Sequence, residues 1–240
     1  MTTRPRAHLP ILLAIWAVLT VAGVLLVLSS PLLPAVASRE GAVADRAFVA
    51  LLLASLPVFF LVHVVLVYSG WRFRAAPADG DGPPIQSNGR LEAAWVGVTF
   101  VMVLALAAYG WIGMVEMRAH DHTDLRVRVV GSQFAWRFEY PDLRVRSDEL
   151  RLPKDARVRL EITSTDVLHS FWVPAFRVKQ DAVPGRTVTL VVTPTEVGRY
   201  DSPCAELCGV GHTIMHAPVE VMEPAAFQDW AAKQRAAAAP

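Results

Sequence analysis

Cys204-Ala-Glu-Leu-Cys-Gly-Val-Gly-His-Thr-Ile-Met215 places two thiols, an imidazole and a thioether within twelve residues. Soft donors at this density read as metal ligands. Thiolate and imidazole suit zinc or copper, and a thioether favours copper, because zinc sites are built from Cys, His and carboxylate. A mononuclear blue-copper centre takes one Cys, so the second thiol is surplus to a single ion. Two thiolates can instead bridge two copper ions. Each ion then needs a terminal imidazole; His212 supplies one, and the best candidate for the other is His169 in Asp166-Val-Leu-His-Ser-Phe-Trp-Val-Pro174. A Cys204–Cys208 disulfide is the competing reading, but it would close a very small loop and leave His212 and Met215 unexplained.

The sequence on either side supplies a scaffold for such a loop. It lies between a strand ending near Tyr200 and a strand over Pro218 to Met222. Alternation of apolar and polar residues recurs in Leu125-Arg-Val-Arg-Val-Val, Leu143-Arg-Val-Arg, Val158-Arg-Leu-Glu-Ile and Val188-Thr-Leu-Val-Val. Period-two segments separated by Pro, Gly and Asp turns are half-buried strands, and several in succession predict a Greek-key β-sandwich of the cupredoxin kind. The ligands would gather at one end, on loops that a rigid sandwich holds in place. Gly209 and Gly211 are read as letting the ligand loop turn tightly, since glycine accepts positive φ.

Upstream, the chain is of another kind. Its 240 residues are 53% hydrophobic with a formal net charge of +1, which suits neither a nucleic-acid binder nor a disordered chain. An apolar run from Leu9 to Leu33 follows Arg4 and Arg6 and ends at Ala35-Val-Ala37, so residues 1–38 read either as a secretory signal peptide or as an extra transmembrane helix. Two further runs predict transmembrane helices over 46–70 and 92–116. Residues 71–91, with Arg72, Arg74 and Arg90, are the expected cytoplasmic loop. The predicted copper domain, 117–230, then lies on the outer face of a bacterial-type plasma membrane, followed by a tail at 231–240. His63, inside the first of these two runs, is an ionisable group at membrane depth, with packing against a partner subunit as its blander explanation.

Cys204-x-Glu206-x-Cys208-x-x-x-His212-x-x-Met215, preceded by Asp166-Val-Leu-His169-Ser and Asp181-Ala-Val-Pro-Gly-Arg186, resembles subunit II of cytochrome c oxidase, the haem-copper oxidase subunit with a dinuclear CuA centre. The resemblance runs from about Gln86 to Trp230. It implies an oxidoreductase subunit that is not catalytic alone. Electrons arrive from cytochrome c or a similar carrier, pass through the copper pair to haem in subunit I, and reduce oxygen to water. His169, Cys204, Cys208, His212, Met215 and the backbone carbonyl of Glu206 are the implied copper ligands, with the Glu206 carboxylate turned toward a magnesium shared with subunit I. Asp181 and Arg186 are implied at the contact with subunit I, although a surface turn with a local ion pair also accounts for them.

Two departures from the family pattern stand out. Glu92, three residues before Trp95, matches a Glu-x-x-Trp at a proton-channel entrance, but the Trp-Thr-x-x-Pro continuation is absent. A carboxylate at a helix N-terminus also explains Glu92. Where many relatives have Gln-Trp-x-Trp, with the first Trp receiving electrons from the carrier, this chain has Phe134 and Trp136; both are candidates for that role, and strand core is the commoner fate of such aromatics. Residues 116–240 hold 17 Asp and Glu against 16 Lys and Arg, so the totals do not predict a strongly salt-dependent encounter with a basic carrier. Three alternatives stand beside the oxidase reading: a CuA-bearing subunit of a nitric oxide reductase, a copper-free docking subunit of the quinol-oxidase type, and a copper-delivery protein. The intact ligand set opposes the second, and the hairpin of apolar helices opposes the third.

Overall fold

The computed structural model describes residues 8–74, 87–118 and 123–237. It divides into two compact units, one of residues 1–32 with 46–114 and the other of residues 33–45 with 115–240. Arg4, Arg6 and residues 75–86 of the expected cytoplasmic loop lie outside the described residues.

Helices α1 (Leu9–Ser29), α2 (Arg39–Arg72) and α3 (Gly89–Arg118) are each long and apolar enough to cross a membrane. The 21 residues of α1 rise about 31 Å at 1.5 Å each, which matches a hydrocarbon core. Trp16 Nε1 donates to Pro57 O at 2.8 Å, at the proline that interrupts the α2 ladder. His63 Nδ1 lies 2.7 Å from Phe59 O one turn earlier, so this ring nitrogen finds its partner within its own helix. The first turn of α3 is capped reciprocally: Leu91 N donates to Asn88 Oδ1, and Asn88 N donates to Glu92 Oε1. Glu92 therefore has a local structural task.

The second unit is a β-sandwich. Its strands are β1 (Leu125–Ser132), β2 (Ala135–Tyr140), β3 (Val145–Ser147), β4 (Leu150–Pro153), β5 (Val158–Ser164), β6 (His169–Val173), β7 (Val178–Ala182), β8 (Val188–Val192), β9 (Gly198–Pro203) and β10 (His216–Met222). They form a five-stranded sheet in the order β3-β2-β1-β5-β8, a three-stranded sheet β4-β10-β9 and a pair β6-β7. Two pairings, β1 with β5 and β4 with β10, are parallel. Alternation fixes which side faces in: Val127, Val129, Phe138, Leu160 and Ile162 are fully buried, while Arg126 and Arg128 point out. Each fully buried aliphatic side chain contributes about 1.5–3 kcal/mol.

Two segments join this core from outside the strand pattern. Helix α4 (Pro224–Ala237) buries Phe227, Trp230 and Ala231, which share one face at i, i+3 and i+4, and the Trp230 ring packs edge-on to Tyr140 at 5.3 Å. The described part of the expected tail, residues 231–237, is thus helix, and its first residue is core. Residues 33–45, including the first turn of α2, form a strap across the sandwich. Ala37 N donates to Ala175 O, Thr195 N donates to Ala37 O, and the buried Glu40 carboxylate accepts from Thr193 N and Oγ1 at 2.8 and 2.9 Å. Arg177 closes the strap on Asp45 at 2.8 Å. Helix α2 therefore begins seven residues earlier than its apolar run suggests, because its first turn is held by these polar contacts.

Candidate metal centre

The ligand loop is an excursion between two paired strands. Strands β9 and β10 pair as far as Pro203 with His216, and Cys204 N then donates to Met215 O at 2.8 Å, closing the mouth of the loop. Ala205 N donates to Ser170 O at 2.9 Å, which ties the loop to β6, and Cys204 bridges Phe171. His169 is the first residue of β6, so the second ligand segment arrives beside the first.

Six donor atoms converge there. Cys204 Sγ and Cys208 Sγ are 3.9 Å apart. His169 Nδ1 lies 4.0 Å from Cys204 Sγ, and His212 Nδ1 lies 3.7 Å from Cys208 Sγ, so each thiol faces one imidazole. Met215 Sδ is 3.7 Å from Cys208 Sγ, and the Glu206 carbonyl oxygen is 3.3 Å from Cys204 Sγ. Glu206 thus turns its backbone, not its carboxylate, toward the thiols. The ligand atoms of His169, Cys204 and Cys208 all lie within 4.8 Å of one another, a grouping that can hold a metal ion. His169, Cys204, Cys208 and Met215 are buried, and His212 and Glu206 are half-buried. Two thiols, two imidazoles, a thioether and a carbonyl around one small volume fit copper chemistry. In the metal-free protein, burial and then the neighbouring Cys204 push the Cys208 thiol up to about 11, so metal binding at neutral pH displaces a proton.

The tautomer of His169 follows from its partner. Its Nε2 is 2.8 Å from Asp166 Oδ1. Burial alone would raise the Asp166 carboxyl, but the hydrogen bond from His169 and those from Gln133 N and Val167 N hold it down at about 2. An ionised carboxylate only accepts, so Nε2 carries the proton and Nδ1 is left to face the thiol. In the sequence Asp166 shows only as part of a motif, and its position three residues before a candidate ligand is the signal for its role. Gln133 was missed as well. Its side-chain Nε2 donates to Cys208 O at 2.6 Å.

The remaining candidates are dispersed. Trp136 is 2% exposed, with its ring edge-on to His169 at 5.9 Å and to Phe171 at 5.4 Å, and its indole nitrogen lacks a partner. Phe134 is half-buried on the turn between β1 and β2, its ring against the backbone of Gly209 and Gly211. The two glycines differ: Gly209 has φ +135, as a tight turn requires, whereas Gly211 has φ −96 and is glycine because a Cβ there would overlap the Phe134 ring. Asp181 on β7 and Arg186 are both exposed, and among the described residues they form no ion pair with each other. His216 pairs with Asp201 at the surface at 3.1 Å, away from the donor set. Leu207, Val210 and Ile214 of the ligand loop are exposed, Val210 completely.

Residues 143–222 match the family model described as cytochrome c oxidase subunit II, periplasmic domain. Cytochrome c oxidase subunit 2 of a Synechocystis species is 33% identical, over 92% of this chain and 81% of that one. The Cereibacter sphaeroides subunit 2 is 29% identical over 78% and 74% of the two chains. The solved periplasmic domain of cytochrome oxidase subunit II from Bradyrhizobium japonicum superposes with a TM-score of 0.47 at 29% identity, covering 49% of this chain and 98% of that domain.

Proposed function

The chain belongs to the cytochrome c oxidase subunit II family, and from that premise we propose that it is the electron-accepting subunit of a haem-copper terminal oxidase, holding two copper ions between Cys204 and Cys208. The observation that carries this reading is the convergence of two thiols, each faced by its own imidazole, in a buried pocket closed by Cys204 N–H donating to Met215 O. When bound, such a copper pair takes up one electron and gives one up. The chain's own residues prepare that exchange. The Asp166 carboxylate orients His169, the sandwich excludes water from the thiols, and the loop closure keeps the donors at fixed spacing, so little needs to rearrange between oxidation states. A carrier on the outer face delivers the electron, and subunit I receives it at its haem for reduction of oxygen to water.

Exposed Asp181 and Arg186 suit the contact with subunit I, and the Glu206 carboxylate, the one acidic side chain of the ligand loop, suits a magnesium shared with it. Phe134, partly exposed over the ligand loop, is the better placed of the two aromatics to meet a carrier. Trp136 lies behind it against His169. A proton-channel role for Glu92 would come in addition to its cap. Oxygen consumption by the purified oxidase, fed with reduced cytochrome c, tests the proposal. Turnover should fall by two orders of magnitude or more in Cys208→Ser, with haem still present. Turnover at the unmodified rate would refute it.

A further inference from the structure

The turn joining β1 to β2 touches both ligand segments. Gln133 N–H donates to Asp166 Oδ2 at 2.6 Å, and Asp166 Oδ1 takes the Nε2 proton of His169 at 2.8 Å. Gly131, just before the turn, accepts from Thr165 N at 3.0 Å, and its own lack of a side chain leaves room for the His169 ring, which a Cβ would meet at 3.1 Å. On the other side, Gln133 Nε2 donates to Cys208 O at 2.6 Å. A Cβ on Gly209 would come within 2.8 Å of that same nitrogen, and one on Gly211 would overlap the Phe134 ring. Two positions of the ligand loop are thus kept bare where the turn lies on them. No sheet hydrogen bond of β1 or β2 requires such an approach.

We propose that Gln133, with Phe134, is a positioning residue that staples the His169 segment to the Cys208–His212 segment and so sets the spacing between the two halves of the metal centre. The inference rests on the copper reading for its consequence but not for its geometry, which belongs to the metal-free chain. Gln133 is suited to the task because its backbone N–H and its side-chain amide point to different segments. One residue therefore couples two segments distant in sequence, the Asp166 carboxylate lying 33 residues from it and the Cys208 carbonyl 75.

Hydrogen exchange of the full-length, metal-free chain, read by mass spectrometry, tests the staple directly. Gln133→Met keeps the side chain's length and removes its donor, and Gly211→Ala displaces the Phe134 ring without touching Gln133. Each should raise exchange by about tenfold or more in the ligand loop, residues 204–215, whereas residues 164–170, held by the Gln133 backbone N–H that Gln133→Met keeps, should exchange as in the parent. Unchanged exchange in 204–215, or a rise confined to the turn itself, would overturn the inference. Copper-loaded samples supply the functional readout. Release to a chelator should quicken by about 10–100-fold in Gln133→Met, the usual effect of losing an outer contact. If the unmodified chain holds no copper while the exchange pattern is as stated, the copper reading fails and the staple stands.

Discussion

Asp166 is where the chemistry of a single side chain is most open to test. Its carboxyl is held at about 2 against an ordinary value of 3.8. A folded value below the unfolded one contributes stability that is complete above about pH 4 and is lost as the pH falls through about 2. In the metal-free protein, Asp166→Asn should therefore flatten the decline in melting temperature between pH 4 and pH 2, followed by circular dichroism. A variant with the same acid profile as the parent would show that His169 does not depend on this carboxylate. The proposed ligands Cys204, Cys208, His212 and Met215 stand out in the sequence because soft donors in a short span have few other uses, whereas His169, 35 positions away from Cys204, is proposed from the need for a second imidazole. Asp166 and Gln133 could not, because an Asp or a Gln in a turn looks like any other until the fold brings it 2.8 or 2.6 Å from its partner.

Strands β1, β5 and β10 were legible because their residues alternate in burial; β8, though read as alternating, does not alternate in burial and is marked instead by its β-branched Val and Thr. Strands β6 and β7 were not: β6 reads His-Ser-Phe-Trp-Val, with four of its five residues buried, so it has no alternation to find. The strap was hidden for a related reason. Its apolar and polar residues, Val36 to Glu40, make sense only against Thr193, Ala175 and Phe176, more than 130 positions later. Glu40→Ala would leave the Thr193 N–H buried without an acceptor, a loss of about 1–3 kcal/mol. A fragment of residues 115–240 should accordingly melt below the same domain with its strap, and a peptide of residues 33–45 should raise its melting temperature in a concentration-dependent way. No rise at saturating peptide would contradict the strap's part in the fold. Tyr140→Phe tests the other outlying contact. The hydroxyl accepts from Arg151 N at 2.7 Å and donates to Arg151 O at 2.9 Å, and its removal should lower stability by about 1–3 kcal/mol in denaturant titrations.

At the scale of the whole molecule, charge and apolar surface bear on how the proposed carrier would meet the β-sandwich. Residues 116–240 are nearly balanced in charge, and the ligand loop has a single charged side chain, Glu206, beside exposed Leu207, Val210 and Ile214. Encounter with a carrier should therefore depend weakly on salt, its second-order rate changing less than about tenfold between 10 and 200 mM ionic strength by stopped-flow mixing. A steep fall with salt would point to a charged docking face instead. The division into apolar helices and a β-sandwich was plain from hydropathy and alternation, whereas the assignment of residues 33–45 to the sandwich needed long-range contacts that no local pattern carries.

On the proposed function, Cys204 and Cys208 hold two copper ions as one unit. Electron paramagnetic resonance of the full chain, loaded with copper and oxidised, measures this most directly. One unpaired electron shared over two copper nuclei, with the corresponding hyperfine pattern and two copper ions per chain, is the predicted result, and Cys204→Ser should abolish it. A signal from a single copper ion, or a chain that retains no copper, would contradict the account.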